Sequence, residues 1–249
     1  MTYCVGMLVK DGLVMMADTR TNAGVDNISM YRKLHILAEG EDRLIVALTA
    51  GNLSVTQLVI SMLAEGLPAR SDGDPCRRLG DVPSMFRAAQ LVGEAVAHAR
   101  EDVRAALEAE KISSGISMLL GGRVGDGPLK LYLIYGEGNF IECMTDQPFL
   151  QIGETKYGKP ILDRALAWDT PMDEAVKVGL ISFDSTIRSN LAVGRPIDVI
   201  AIPADASRRT IRRRIEADDP YFNDLSARWS MLLNESRATI PAPPFLGDL

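Results

Sequence analysis

Apolar residues along the chain fall into short runs, which suit β-strands, and longer periodic stretches, which suit helices. The first two runs cover residues 2–9 and 13–17, and a Lys-Asp-Gly turn joins them. An Asp-Gly pair between apolar runs is typical of a β-hairpin. A polar loop at residues 18–29 precedes two further runs, at residues 33–38 and 43–49. We therefore expect the chain to begin with four antiparallel strands.

Two helices are predicted next. Residues 52–65 carry apolar side chains every three or four positions, and residues 82–111 continue the same period over a longer stretch. Asp81 is the predicted N-cap of the longer helix, and Pro83 would then lie in its first turn. The two helices are expected to pack side by side in one layer.

The second half of the chain repeats this order. The predicted strands are residues 115–120, 129–135, 139–144 and 197–202, and the predicted helices are residues 156–168 and 172–189. Strands and helices that are segregated in this way indicate packed antiparallel sheets covered by helices. We therefore predict an α/β protein of the α+β kind, a four-layer αββα sandwich of two antiparallel sheets flanked by helices.

The pattern changes after residue 203. Five arginines stand between residues 208 and 214, and a helical pattern follows in residues 221–237. Because the whole chain is acidic, we interpret the arginines as part of a subunit contact rather than as a nucleic-acid site. The predicted organisation is one domain at residues 1–203, followed by a C-terminal helical extension at residues 204–249.

Composition excludes several classes of function. The chain has 249 residues with 33 acidic and 27 basic side chains, and its net charge of −6 disfavours nucleic-acid binding. No apolar run approaches the roughly 20 residues that cross a bilayer, and no secretory signal pattern is present, so a cytoplasmic protein without a membrane partner is expected. Three scattered cysteines and two distant histidines predict no metal site and no cofactor.

Thr2 is the first candidate for chemistry. A threonine hydroxyl is a weak nucleophile, but removal of Met1 would give Thr2 a free α-amino group with a pKa near ~8, which can accept the hydroxyl proton. Asp18 follows sixteen residues later at the end of the second strand, Lys33 begins the third strand, and Gly51 precedes the first helix. Functional residues commonly lie at such element boundaries.

These residues resemble those of proteasome β-type subunits, which are N-terminal-nucleophile hydrolases. The family motif Asp-x-Arg-x-x-x-Gly is matched from Asp18 to Gly24. The Met-Thr start, the stretch from Asp18 to Ser29 and the extended tail most resemble Anbu, the bacterial ancestral β-subunit group. The resemblance implies that Thr2 is the nucleophile, that Lys33 anchored by Asp18 favours loss of its proton, and that the Gly51 N–H binds the oxyanion.

Three positions depart from the family pattern, and at the first of them Asn22 replaces a threonine. Glu154 stands where a serine is usual, and it could tune the Thr2 amine or bind a basic substrate. Ser189 could replace an aspartate as hydrogen-bonding partner of that amine. For substrate binding, the alignment implies backbone groups of Asn22 and the following side chains: Arg20, Thr21, Tyr31, His35, Thr49 and Leu53.

The predicted function is a threonine-type peptidase or amidohydrolase that acts as a homo-oligomer, in a ring or an open helical assembly. Two alternatives stay open: a non-catalytic assembly protein with the same fold, or an amidase that acts on γ-glutamyl-type amides. The sequence does not name the peptide or amide substrate, and it leaves open whether an ATP-dependent unfoldase takes part.

Overall fold

The computed structural model describes residues 2–22, 28–69, 71 and 75–246, with the backbone alone at 22, 28 and 246. The strands are β1 Tyr3–Val9, β2 Gly12–Asp18, β3 Arg20–Asn22, β4 Ile28–Met30, β5 Leu34–Glu39, β6 Arg43–Gly51, β7 Ile116–Val124, β8 Lys130–Ile134, β9 Phe140–Glu142, β10 Phe149–Gly153, β11 Ile197–Pro203 and β12 Ile211–Ile215. The α-helices are α1 Leu53–Glu65, α2 Met85–Ala109, α3 Lys159–Ala165, α4 Met172–Ser189 and α5 Pro220–Thr239. Short 3-10 helices occupy Leu79–Asp81 and Pro244–Leu246.

Ten strands form two five-stranded antiparallel sheets. The first sheet has the order β10-β1-β2-β11-β12, and the second has the order β5-β6-β7-β8-β9. The sheets face each other through a shared apolar layer that includes Met15, Leu48, Leu119 and Ile200. Alternate residues of each strand point to opposite faces, so the same strands also carry a second apolar face for the helices.

Helices cover both outer faces. The pair α1 and α2 packs on the second sheet, with Val59 and Val92 among its buried residues. Helices α3, α4 and the start of α5 pack on the first sheet, where Phe183 and Phe222 are buried. The predicted four-layer αββα arrangement of two antiparallel sheets is therefore confirmed.

The two long helices of the second sheet begin in different ways. The Asn52 carboxamide oxygen caps α1 by accepting from two backbone N–H groups of its first turn. The predicted start of α2 at residue 82 with Asp81 as N-cap is wrong, because Ser84 is the N-cap and Asp81 ends a 3-10 turn. Val82 precedes Pro83 and is extended, as the steric demand of a following proline favours.

Four strands occur where none was predicted. Residues 18–29, expected as a loop, contain β3 and β4, which pair with each other. Strand β10 pairs with β1 at one edge of the first sheet, and β12 pairs with β11 at the other edge. The segment at residues 204–249 is therefore not a purely helical extension, since β12 and the first turns of α5 belong to the first sheet and its core. The helix expected at residues 156–168 is shorter, Lys159–Ala165.

We expect Leu48→Ala to lower the free energy of unfolding by about 3 kcal/mol, because the buried side chain leaves a cavity between the sheets. Urea denaturation followed by tryptophan fluorescence measures this change. The matched control is Leu191→Ala, whose side chain is 84% exposed, and which should cost less than about 0.5 kcal/mol. Equal losses in the two variants would contradict the inter-sheet position of Leu48.

Candidate active site

A buried ion pair connects the two sheets at one end of the sandwich. Asp18 is the last residue of β2, and Lys33 directly precedes β5 in the opposite sheet. The Lys33 Nζ donates to Asp18 Oδ1 at 2.6 Å and to the backbone carbonyl of Arg20 at 2.6 Å. Both side chains are almost completely shielded from solvent. The ammonium group is therefore held in one position by a charged and a neutral acceptor.

Asp18 has two further donors. Its Oδ1 accepts from the Tyr3 N–H at 3.0 Å, and its Oδ2 accepts from the Gly194 N–H at 3.3 Å. Burial raises the pKa of Asp18, while the Lys33 ammonium and these two N–H groups act in the opposite direction. On acidification the Asp18–Lys33 pair should therefore be lost at a higher pH than that at which an exposed aspartate takes up its proton.

Thr2 lies beside this pair and is 9% exposed. Its carbonyl accepts from the Glu154 N–H at 2.6 Å, which continues the pairing of β1 with β10. Gly153 has a φ of +83°, and a Cβ at this position would lie 2.1 Å from the Thr2 carbonyl oxygen. Only glycine fits at 153, and β10 therefore determines where the Thr2 backbone lies.

Gly51, the last residue of β6, lines the same small cavity as Thr2. Its φ is +115°, and a Cβ at this position would lie 2.2 Å from the Gly115 carbonyl oxygen. Helix α1 begins directly afterwards at Leu53, so its positive N-terminal end lies next to Gly51. This end of the sandwich therefore suits a developing negative charge.

Thr2 opens into a cavity of about 90 Å³, which adjoins a second cavity of about 370 Å³. Tyr31, Arg32, Leu53 and Thr56 line both of them. The remaining described residues of the first cavity are Thr2, Thr21, Lys33, Thr49, Ala50 and Gly51, and those of the second are His35, Gln57, Ile60 and Ser61. Five of the residues expected at a substrate pocket (Thr21, Tyr31, His35, Thr49 and Leu53) therefore lie around this joint cavity.

Two residues expected to bind substrate have different surroundings. The Arg20 side chain donates to the Leu191 carbonyl at 2.7 Å and contacts the Gly194 backbone, while its own carbonyl accepts from Lys33. Arg20 thus orients the lysine through its backbone. The Asn22 side chain, the motif residue Gly24 and Met1 lie outside the described residues.

His35 and Cys4 are the other potentially reactive side chains near the pair. His35 Nε2 lies 3.4 Å from Thr49 Oγ1, and burial lowers the pKa of the histidine, so its ring is neutral at pH 7. The Cys4 thiol donates to the Thr49 carbonyl, and burial raises its pKa. Cys4 is therefore a poor nucleophile, because the thiolate is the reactive form.

Glu154 is 6% exposed, and its two carboxylate oxygens are both occupied. Oε1 accepts from the Lys156 N–H at 2.9 Å, and Oε2 accepts from the Asn190 side chain at 3.0 Å. Ser189 is exposed at the last position of α4, and it is the next residue, Asn190, that reaches Glu154. The roles expected for Glu154 and Ser189 at the Thr2 amine stay predictions.

Arg32 lines both cavities and was not among the residues predicted to bind substrate. It belongs to no motif, and its position directly before the candidate lysine is the only sequence feature that relates it to the pocket. Among the residues that the structure describes, no group of three or more Cys, His, Asp and Glu side chains is arranged to hold a metal ion. Within the same residues, every helix is too short or too polar to span a bilayer.

The fold is of the proteasome β type. Two antiparallel sheets face each other between layers of helices, and one end of this sandwich carries Thr2, Asp18 and Lys33. Anbu from Hyphomicrobium sp. strain MC1, as a Gly-1 mutant, is 45% identical with a TM-score of 0.87, and the match covers 98% of this chain and 99% of that one. The helical assembly of the Anbu complex from Pseudomonas aeruginosa gives 43% identity, a TM-score of 0.86 and coverage of 97% and 98%.

The proteasome subunit beta 1 of Pyrobaculum arsenaticum is more distant, with 23% identity over 203 residues, which are 81% of this chain and 90% of that protein. A scan against models of protein families found no match. The full-length identity to the solved structures shows that the chain belongs to the Anbu (ancestral beta-subunit) family, as the sequence resemblance predicted.

A double-mutant cycle tests the energetic coupling of Asp18 and Lys33. Lys33→Met should lower the free energy of unfolding by about 3 kcal/mol, because it leaves a buried carboxylate without its cation. Asp18→Asn combined with Lys33→Met should cost less than the sum of the single changes by about 1 kcal/mol or more, measured by urea denaturation. The exposed pair Lys159–Asp163 provides the control cycle, with a coupling below about 0.5 kcal/mol. Additive losses at Asp18 and Lys33 would contradict the pairing.

Proposed function

We propose that the chain is a threonine-type amidohydrolase, most simply a peptidase, whose nucleophile is Thr2 after removal of Met1. The observation that carries this proposal is the position of Lys33, which is buried against Asp18 and lines the same small cavity as Thr2 and Gly51. A lysine with no function would ordinarily extend to water rather than be buried at 5% exposure.

The proposed reaction uses these residues in sequence. The free Thr2 amine accepts the hydroxyl proton, and the Lys33 ammonium lowers the energy of the alkoxide that attacks the substrate carbonyl. The Gly51 N–H stabilises the oxyanion of the tetrahedral intermediate. The protonated Thr2 amine then gives its proton to the leaving amine, and water hydrolyses the resulting ester on Thr2.

One alternative keeps specific support. A cavity of about 90 Å³ beside Thr2 is smaller than the ~300 Å³ or more of a typical ligand site. The small volume favours a scaffold protein that keeps the fold but does not catalyse a reaction. The hydrolase function instead requires that the adjoining cavity of about 370 Å³ receives the substrate side chain. The γ-glutamyl amidase alternative has no comparable support, because both oxygens of Glu154 already accept hydrogen bonds from the protein.

Self-association is the second part of the proposal. Helix α5 buries Phe222 and Leu225 near its start, but from residue 231 onward every described side chain is exposed. Met231, Leu232 and Leu233 are each about half exposed in this stretch. An isolated helical end with a cluster of apolar side chains is costly in water, so contact with a second copy offers an explanation. The helical assembly of the Pseudomonas aeruginosa relative supports this.

Labelling by an epoxyketone or β-lactone probe tests the nucleophile. The wild-type chain should lose the mass of Met1 and gain the mass of one probe, and Thr2→Ala should gain none, because the attacking oxygen is absent. Intact-mass spectrometry measures both changes in one spectrum. Lys33→Ala should slow labelling by about 100-fold or more, and the exposed Thr239→Ala should label normally. A wild-type protein that retains Met1 and takes up no probe would leave only the scaffold function.

The exposed end of α5 generates a prediction about assembly. Leu232→Glu with Leu233→Glu should give a smaller particle at the same concentration, since two carboxylates would be buried in the proposed contact. Size-exclusion chromatography with light scattering measures the particle mass. The control, Leu191→Glu, also places a charge on an exposed apolar position but should leave the mass unchanged. An unchanged particle for the double variant would remove α5 from the contact.

A further inference from the structure

The joint cavity beside Thr2 has an unusual charge. Its described lining residues contain two basic side chains, Arg32 and Lys33, and no carboxylate. The Lys33 charge is compensated by Asp18 at 2.6 Å, outside the lining. Arg32 therefore leaves the cavity with a net positive charge in a protein whose own net charge is −6.

Arg32 differs from the other arginines nearby. A neighbouring cleft between β5 and β12 is also lined by Arg212 and Arg214, but these pair with Glu39 and Asp198, respectively. Within the described part of the chain, no carboxylate lies within 4 Å of an Arg32 nitrogen. The charge of Arg32 acts on the pKa of Asp198 only over a longer distance, and Asp198 pairs with Arg214. Arg32 is exposed and lines this cleft as well as both cavities beside Thr2, so its charge is available to a ligand in the joint cavity.

The rest of the lining suits a carboxylate. Thr21, Tyr31, Gln57 and Ser61 carry neutral groups that can donate hydrogen bonds. A guanidinium binds a carboxylate through two parallel N–H donors, while a substrate ammonium at the same place would be repelled. Glu154, the residue that the sequence suggested for binding a basic substrate, is absent from the lining and has both oxygens occupied.

We propose that Arg32 is a specificity-determining residue, which makes the pocket beside Thr2 prefer amide substrates with a carboxylate side chain on the residue that supplies the scissile carbonyl. This inference rests on the proposed function and extends it to a substrate class. It concerns recognition alone, so it can be measured separately from bond cleavage.

Binding to Thr2→Ala isolates recognition, because this variant has no nucleophile and cannot convert its ligand. The probes are fluorescent capped tripeptides that end in Glu, Gln or Lys amide, and fluorescence anisotropy measures their dissociation constants. We expect the Glu peptide to bind about five- to tenfold more tightly than the Gln peptide, because its carboxylate makes one partly exposed, charge-assisted hydrogen-bonded contact with Arg32. The Lys peptide should bind less tightly than the Gln peptide, and added salt should shrink both differences.

Arg32→Gln in the same background should bring the Glu to Gln ratio to within about twofold, since the charge that distinguishes them is gone. The matched control is Arg104→Gln, which removes an equal charge from an exposed position on α2 outside the cavity. Far-UV circular dichroism verifies that each variant is folded.

The inference is overturned by equal affinity for the Glu and Gln peptides, by a ratio that survives Arg32→Gln, or by the absence of measurable binding of every peptide. Failure of the hydrolase proposal looks different: the wild-type chain would take up no covalent probe at Thr2, whereas the Glu preference of the Thr2→Ala protein would still depend on Arg32.

Discussion

The buried carboxylate of Asp18 is the contact on which the arrangement at this end of the molecule depends. It accepts hydrogen bonds from the Lys33 ammonium, the Tyr3 N–H and the Gly194 N–H, which belong to three separate segments. Because Lys33 leads into the second sheet and Tyr3 begins the first, one side chain joins both sheets where they meet. Thr2 directly precedes Tyr3, so its position is fixed relative to the lysine by the same contact.

The parts of this arrangement that were predictable from sequence are those with local signals. Asp18 and Lys33 stand at the ends of apolar runs, and the Asn52 cap marks the start of α1. Strands β10 and β12 carry weak local signals, because they are short edge strands that depend on pairing with β1 and β11. In β12 three consecutive arginines stand between Ile211 and the buried Ile215, and charges of this kind are typical of an edge strand. The charge of the segment led to its prediction as an appendage to the core.

Side-chain direction is the property that sequence position could not supply. Glu154 was a candidate at the reactive end because of its place in the alignment, yet its carboxylate is used by Lys156 and Asn190. Arg20 was expected at the substrate, yet its guanidinium contacts Leu191. Arg32 carried no motif, and its place at the cavity follows only from the turn that leads into β5.

Strand β10, which was not predicted from the sequence, positions the proposed nucleophile. Strand β10 ends at Gly153, whose positive φ lets the Glu154 N–H donate to the Thr2 carbonyl at close range. The Glu154 carboxylate in turn ties this turn to Asn190 beyond the end of α4. A carboxylate in place of a hydroxyl at 154 therefore has a mechanical consequence: the backbone that carries Thr2 is anchored to the outer helix layer. A change at Glu154 would act on Thr2 through the position of its main chain, even though its carboxylate does not line the cavity.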